Sequence, residues 1–313
     1  MAKLDPSNKT LKKKFLLCIL YHDRKINLKK IINKIQINLV NQILIINDGV
    51  NYYFKKKNYN FIKFINEPKK KFSISINRNI ALRYAKKKNY DLILFLDSDI
   101  IPQKKLVENH INAHVREANS IVVGGPVLPS SKLKNFNFWE FLDGRLSWFT
   151  SVDQNISHYV KWPYHLPACN LSMQVKKIFQ KKIKFRETIQ TGEDADLFNQ
   201  IRKKRQKAYF DKDCKVTHND RKTFLSFINH HLKWGRHQYY NFFKLNKNKT
   251  FELLFIIFYP LIYPLLVASQ TFFVIKKWCS KNIFYIFLTP IFLLVFSLKS
   301  IATYLESYKS FFK

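Results

Sequence analysis

The sequence predicts an α/β protein: a mostly parallel, Rossmann-like sheet with flanking helices, followed by hydrophobic membrane helices near the C-terminus. Three observations support this prediction. Between residues 15 and 126, short apolar runs alternate with segments of helical periodicity, which is typical of βαβ units. The apolar runs are nearly continuous, as in strands of a sheet that is covered on both faces. Beyond residue 250, two longer apolar segments follow.

The predicted elements follow one another regularly up to residue 126. We predict strands at 15–20, 42–46, 61–65, 92–96 and 121–125, and helices at 26–37, 76–88 and 106–118. Residues 127–190 are less regular and rich in aromatic side chains, and helical patterns return at 193–204 and 222–243. The chain therefore divides into a basic tail (1–14), a main domain (15–220, with halves 15–126 and 127–220), an amphipathic connecting helix (221–250) and a hydrophobic hairpin (251–313).

The hairpin is predicted to associate with a membrane. Residues 251–275 contain a single charged side chain, Glu252, and as a helix they would be ~38 Å long, enough to cross a hydrocarbon core of ~30 Å. Residues 283–298 would reach only ~24 Å as a helix. If both segments crossed, the basic turn at 276–281 would face away from the cytoplasm, against the positive-inside tendency. A hairpin that dips into one leaflet avoids this conflict, and the sequence leaves both arrangements open.

The charge and the cysteines indicate the surroundings of the protein. The net charge is +34, which suits an anionic membrane surface or nucleic acid. Because Lys, Asn and Ile are all abundant, AT-rich coding explains the lysine excess equally well, and we expect membrane lipids but no nucleic acid as partners. The four cysteines form no C-x-x-C pair. Free thiols and the absence of a recognisable secretion signal predict that the main domain is cytoplasmic.

Two of the predicted strands end in acidic residues. The strand at 42–46 runs into Asn47-Asp48-Gly49, and the strand at 92–96 runs into Asp97-Ser98-Asp99. In open α/β sheets, ligands bind beyond the carboxyl ends of the strands. Asp48 would there accept a hydrogen bond from a nucleobase or ribose, although Asn-Asp-Gly is also ordinary turn chemistry.

Asp97 and Asp99 form a D-x-D pair. Side chains two residues apart on an extended segment point the same way, so both carboxylates would face one hard cation, Mg²⁺ or Mn²⁺. Such a cation neutralises a diphosphate leaving group. The alternative is a solvated turn in which one carboxylate caps the helix that follows Pro102. The position at the end of the most apolar strand favours the cation site.

A second acidic cluster lies at the start of the helix predicted at 193–204. Glu193, Asp194 and Asp196 fall within four residues there. Thr191 and Asp194 have the spacing of a capping box, and acidic side chains stabilise the positive end of a helix. Three carboxylates exceed what capping requires, so Asp194 or Glu193 is a candidate general base.

The order of these motifs resembles a family 2 glycosyltransferase of the glycosyltransferase A fold. The resemblance spans about residues 15–220 and rests on "ILIINDGV" (43–50), "NRNIALRYAKKKNYDLILFLDSDIIP" (77–102), "VVGGPV" (122–127), "ACNLSMQVKKIF" (168–179) and "GEDADLFNQIRKKRQKAYFDKDCKVTH" (192–218). It implies a nucleotide-sugar-binding sheet and a catalytic main domain. Each motif alone is unspecific, whereas the D-x-D pair and the later Gly-Glu-Asp cluster are specific in combination.

The resemblance implies a role for each residue on the donor side. Asp48 would contact the nucleobase near Tyr21, at the end of the first strand. Asp97 and Asp99 would hold the ribose and the diphosphate-bound Mn²⁺ or Mg²⁺, and whether Asp97 binds metal or ribose stays open. Arg78 would lie on the donor side.

On the acceptor side, the resemblance implies that Asp194 deprotonates the acceptor hydroxyl for an inverting attack, with Glu193 as its alternative. His218 resembles a family histidine near the metal. The sequence departs from the family at Asn47, where the family has aspartate, and at Ala81, where glycine is frequent. The segment "KWGRHQYY" (233–240) does not match the Gln-x-x-Arg-Trp motif of processive relatives, which favours transfer of single sugars.

Together these features predict metal-dependent transfer from a nucleotide-sugar, UDP-linked by the habit of the family. The acceptor would be a lipid-linked or envelope glycan at the cytoplasmic membrane face. Two alternatives are a non-catalytic basic membrane adaptor and a nucleotidyl- or phosphotransferase on a related sheet. The adaptor does not explain acidic residues at two strand ends, and the phosphotransferase lacks a glycine-rich phosphate loop with lysine.

Overall fold

The computed structural model describes most of the chain. The described residues are 13–21, 28–47, 61–66, 73–130, 136–151, 156–160, 166–189, 191–239 and 249–312. Asp48 lies outside these residues, so its predicted contact with a nucleobase stays a prediction. We call residues 13–223 the α/β domain, and the three helices after it the helical unit.

The α/β domain contains a central eight-stranded sheet and a small three-stranded one. In chain order the strands are β1 Phe15–Tyr21, β2 Gln42–Asn47, β3 Ile62–Asn66, β4 Leu92–Asp97, β5 Ile100–Pro102, β6 Ser120–Gly124, β7 Val127–Pro129, β8 His158–Tyr159, β9 Asn170–Gln174, β10 Lys207–Phe210 and β11 Val216–His218. The central order is β3-β2-β1-β4-β9-β6-β10-β8, and the small sheet has the order β5-β11-β7. Strands β3, β2, β1 and β4 are parallel, as are β6 and β10, whereas β9 is antiparallel to both its neighbours.

Helices cover both faces of the central sheet. In chain order the described helices are α1 Leu28–Ile32, α2 Ile74–Lys87, α3 Leu106–Arg116, α4 Phe138–Trp148, α5 Val175–Gln180, α6 Glu193–Lys203, α7 Phe224–Tyr239, α8 Lys249–Cys279 and α9 Thr289–Phe311. One apolar core joins the sheet to α2, α5 and α6, and a second joins its other face to α1 and α3. A mostly parallel sheet buried on both faces, as predicted, is confirmed.

A third apolar core joins the α/β domain to the helical unit. It contains Leu142 and Leu146 of α4, Phe227 of α7, Trp278 of α8 and Phe292 of α9. Two segments are long and apolar enough to cross a membrane, Lys249–Cys279 and Ile283–Phe311. Helix α8 continues through both of its prolines, and a 3-10 turn, Ile283–Leu288, precedes α9.

Two predictions of secondary structure were incomplete. The helix predicted at 26–37 ends at Ile32 and is followed by a 3-10 turn, Ile37–Leu39, because isoleucines and asparagines with low helix propensity fill this segment. Helices α4 and α5 and the strands β5, β7, β8, β9, β10 and β11 were not predicted. Strand β9 lies in the middle of the sheet, yet it carries the buried polar residues Asn170 and Ser172, so its sequence lacks the apolar run by which the other central strands were found.

Candidate active site

The parallel strands bring the predicted donor-side residues to one edge of the sheet. Tyr21 pairs with Asn47 across β1 and β2, and Leu20 pairs with Asp97 across β1 and β4. Tyr21, Asn47 and Asp97 therefore lie at the carboxyl ends of three adjacent strands. Tyr21 is buried there. The structure thus places Tyr21 and Asp97, two of the residues predicted on the donor side, where α/β sheets bind ligands.

Asp97, Ser98 and Asp99 form a turn between β4 and β5. The backbone N–H of Ser98 donates to the carbonyl of Leu20 at 3.1 Å, and the N–H of Asn219 donates to the carbonyl of Asp99 at 2.9 Å. The next helix, α3, begins only at Leu106 and has Lys105 as its N-cap. The acidic pair therefore does not cap that helix.

Arg78 connects the two acidic clusters. Its side chain is only 1% exposed, and its Nη2 donates to Asp97 Oδ1 at 3.0 Å. Its Nη1 donates to Glu193 Oε1. Burial raises the pKa of Glu193 to about 7 and also raises the pKa of Asp97, and in both cases the guanidinium opposes the effect. One buried cation thus joins a buried carboxylate, Glu193, and a partly buried one, Asp97, that lie far apart in the sequence.

The three carboxylates of α6 have three different environments. Glu193 is buried against Arg78, and Asp196 is buried with Arg186 Nε at 3.2 Å from its Oδ2. Asp194 is half-buried, and its Oδ1 accepts from the N–H of Ala195 at 2.8 Å. The N-cap of α6 is Gly192, with φ of 79° and no side-chain cap, so the capping box at Thr191 is wrong. Asp194 is the acidic side chain of α6 that solvent or a substrate reaches most easily.

His218 lies beside Asp99 because β11 pairs with β5 in the small sheet, where His218 faces Ile100. Its Nε2 is 3.5 Å from Asp99 Oδ2, and its Nδ1 is 2.8 Å from Asp220 Oδ1. Burial alone would lower the pKa of His218, but the negative charges of Asp99 and Asp220 outweigh it and raise the pKa to about 10. His218 was predicted near the metal, and in the structure it lies beside Asp99, the second carboxylate of the D-x-D pair.

Asp220 and Trp148 support His218, and sequence reasoning had missed both in this role. Trp148 Nε1 donates to Asp220 Oδ1 at 2.8 Å, and the indole lies against the imidazole with ring centroids 4.6 Å apart. The N–H of Ser130 donates to Asp220 Oδ2 at 3.2 Å. A Cβ on Gly144 would lie 2.7 Å from the same oxygen, so only glycine fits at this point of α4. The His-x-Asp spacing at 218–220 was the available signal.

The chemistry of these side chains fits a hard divalent cation that a substrate helps to bind. Carboxylate oxygen and imidazole nitrogen suit Mn²⁺ and Mg²⁺. Asp220 engages Nδ1 of His218 and so directs Nε2 towards Asp99, the support that metal-ligating histidines usually have. Among the described residues, no group of three or more potential ligands forms a ready-made metal site. Asp99 and His218, with Asp97 nearby, therefore fit a cation that also takes oxygens from phosphate and water.

An acidic turn at the carboxyl edge of a mostly parallel sheet and a second acidic cluster at the start of α6 agree with the resemblance to a family 2 glycosyltransferase, and a buried arginine joins the two. Comparison with protein families agrees. The chain belongs to glycosyl transferase family 2, whose model matches residues 18–181. The resemblance noted in the sequence is thereby confirmed.

Two solved structures are similar to this chain in fold. The mannosyltransferase PcManGT from Pyrobaculum calidifontis, solved with GDP-Man and Mn²⁺, gives a TM-score of 0.58 at 10% identity, over 93% of this chain and 88% of that one. GalNAc-T7, solved with UDP, GalNAc and Mn²⁺, gives 0.47 at 13% identity, over 66% of this chain and 44% of that one. This chain thus spans less than half the length of GalNAc-T7. No curated protein was found to match the sequence.

Proposed function

We propose that this protein transfers a sugar, with inversion, from a nucleotide-sugar to a lipid-linked or envelope glycan at the cytoplasmic face of a membrane. The observation that carries the proposal is the Arg78 bridge between Asp97 and Glu193. It holds the donor-side turn and the N-terminus of α6 together, so that a sugar bound at the turn lies within reach of Asp194. UDP is our choice of nucleotide, from the habit of the family.

Residues of this chain would hold the leaving group in place. Asp99 and His218 would bind Mn²⁺ or Mg²⁺, with Asp97 as a further ligand or as an acceptor for the ribose. Bound there, the cation would neutralise the charge that develops on the diphosphate. That PcManGT, which is similar in fold, was solved with Mn²⁺ and a nucleotide-sugar supports a divalent cation as cofactor. Tyr21 and Asp48 would contact the nucleoside at the ends of β1 and β2.

Asp194 would act as the general base. It accepts the proton of the acceptor hydroxyl while that oxygen attacks the anomeric carbon, and the bond from this carbon to the diphosphate oxygen breaks on the opposite face. One base and one displacement invert the anomeric centre. Glu193 is less suited to this role because its carboxylate is already engaged by Arg78. The half-buried position of Asp194 supports its assignment.

The decisive experiment is turnover of a panel of nucleotide-sugars with Mn²⁺ or Mg²⁺, in the presence of membrane extracts as acceptor source. We expect chelation of the metal, Asp99→Ala and Asp194→Ala each to abolish transfer, because loss of a general base alone costs about 10²–10⁴-fold. Only Asp99→Ala should also weaken metal-dependent nucleotide binding. Asp213→Ala, at an exposed carboxylate, is the matched control. Full activity of both site variants would refute the assignment.

A further inference from the structure

The turn between α8 and α9 contacts the α/β domain. Trp278 Nε1, at the end of α8, donates to the carbonyl of Arg145 at 3.1 Å. Arg145 Nη2 donates to the hydroxyl of Tyr285 at 3.1 Å, and the rings of Phe141 and Tyr285 stack at 5.9 Å. Phe141 and Arg145 belong to α4, the helix whose last residue, Trp148, supports Asp220. The turn therefore lies on the same side of any membrane as the candidate active site.

Helix α7 packs against α9, the second helix of the hairpin. Near the turn, Phe227 packs in the same core as Phe292. Further along, Thr303 Oγ1 donates to the carbonyl of Gly235 at 2.8 Å. A Cβ on Gly235 would lie 2.2 Å from the carbonyl oxygen of Lys299, so the backbones of α7 and α9 touch at this glycine. The two helices therefore share one depth relative to a membrane.

Helix α7 is unsuited to cross a bilayer. Lys233 and Arg236 are exposed on its surface, and charged side chains facing lipid tails are strongly unfavourable. A hairpin that crossed the membrane would carry α7 into the hydrocarbon with it. The contacts with α7 thus argue against crossing by either α8 or α9.

The helical unit nevertheless presents a large apolar surface. Helix α8 buries one stripe against its neighbours, and most of its remaining large side chains are exposed. These are Phe251, Leu253, Leu254, Ile257, Phe258, Leu261, Ile262, Leu265, Leu266, Phe272 and Phe273. Next to this surface, the turn carries Lys276, Lys277 and Lys281. An apolar surface bordered by lysines suits a leaflet with anionic headgroups.

We propose that the helical unit is monotopic: it lies within the leaflet next to the α/β domain and does not cross the membrane. Helix α8 is immersed in the acyl chains, α7 lies at headgroup level, and the lysines of the turn contact anionic headgroups. This placement resolves the conflict with the positive-inside tendency, because the basic turn stays on the side of the α/β domain. It rests on the membrane association in the proposed function and is independent of glycosyl transfer.

Flotation tests the membrane partner. Full-length protein is mixed with vesicles of neutral lipid or of neutral lipid with phosphatidylglycerol. We expect it to float with both, and the combined Lys276→Gln, Lys277→Gln and Lys281→Gln variant to bind anionic vesicles about a hundredfold more weakly. A matched variant replaces Lys176, Lys181 and Lys184, exposed lysines of the α/β domain, and should retain its affinity.

Soluble dimers that do not float would overturn the proposal, since a second copy would then cover the apolar face. Equal affinity of the two triple variants would overturn the headgroup contact.

Labelling with a membrane-impermeant maleimide tests the topology. Cys279 marks the turn, since Cys18, Cys169 and Cys214 are buried. In a Cys279→Ser background, Lys309→Cys marks the far end of α9, and Lys203→Cys marks the α/β domain. The vesicles are chosen so that the Lys203→Cys variant is labelled completely without detergent, which means that the α/β domain faces the reagent. We expect Cys279 and the Lys309→Cys variant to be labelled equally under those conditions. A thiol at either position that requires detergent would show that α8 and α9 cross, and would overturn the monotopic arrangement while leaving the glycosyl-transfer proposal untouched.

Discussion

At the scale of single residues, Arg78 decides how the candidate site is assembled. The sequence marks both acidic clusters, but it does not show that one guanidinium joins them. Carboxylates that lose hydration on folding require a cationic partner, Glu193 more than the partly exposed Asp97. Arg78 lies 1% exposed between Asp97 and Glu193 and supplies that partner. The same contact fixes α6 relative to β4 and so places Asp194.

Arg78→Met should therefore destabilise the fold as well as the site. Methionine fills a similar volume but leaves the buried Glu193 and the partly buried Asp97 without their cation, a loss of about 3–5 kcal/mol. The free energy of unfolding in urea measures it. Arg83→Met on the same helix is the matched control, because Arg83 is 60% exposed and only 3.9 Å from Glu187, a surface pair that contributes about 0–1 kcal/mol. Equal losses in the two variants would contradict a bridging role for Arg78.

At the scale of elements, the sequence predicts the strands that are marked by an uninterrupted run of apolar residues. The strands β1, β2 and β4 are apolar throughout, so their position and the acidic residues that follow them were predictable. Strand β9 was not, because its Asn170 and Ser172 are satisfied by side chains of α3, more than fifty residues away. Likewise, Asp194 and Glu193 look equivalent in the sequence, and only contact with Arg78 distinguishes them.

Because α7 and α9 touch at Gly235, replacing this glycine should change the stability in the direction opposite to the one that helix propensity alone predicts. At an exposed helix position, Gly→Ala stabilises by roughly 1 kcal/mol. At Gly235 the added Cβ would meet the backbone of Lys299 at 2.2 Å, so we expect Gly235→Ala to destabilise by about 1–3 kcal/mol. Thermal unfolding followed by tryptophan fluorescence measures the change. Asn229→Ala, exposed on the same helix, should be neutral or stabilising, and a stabilising Gly235→Ala would refute the contact.

At the scale of the whole molecule, α4 connects the candidate site with the helical unit. Trp148 at one end supports Asp220 and through it His218, while Arg145 contacts Trp278 and Tyr285 at the turn of the hairpin. The sequence predicted membrane helices and an acidic site but gave no sign of this link, since 127–190 showed no clear periodicity. The link fixes the position of the candidate site relative to the helical unit.

The stability of the whole α/β domain should depend on pH through His110 and His114. Both are buried between α3 and β9, where His110 Nδ1 and His114 Nε2 lie 2.8 and 2.9 Å from Ser172 Oγ. Burial lowers the pKa of His110 to about 4, and that of His114 also lies well below its ordinary value of 6.5. Charged neighbours change these two pKa values less than burial does. Asp211 raises the pKa of His110, while Lys13 and Lys177 lower that of His114 further.

Between pH 6.5 and 4 the unfolded chain therefore binds protons at these histidines that the folded chain does not bind, so stability is complete above pH 6.5 and falls as the pH is lowered. For His110 alone the loss approaches about 3 kcal/mol, at about 1.4 kcal/mol per pH unit. Because the raised pKa of Glu193 acts in the opposite direction over part of this range, variants are compared with the parent: as the pH falls from 6.5 to 4, we expect His110→Gln and His114→Gln each to lose less free energy of unfolding than the parent protein. His158→Gln, at a half-buried histidine of β8, is the control and should keep the parent slope. An unchanged slope in the double variant of His110 and His114 would show that both histidines are already charged in the folded protein, because only groups that gain protons on unfolding contribute to the slope.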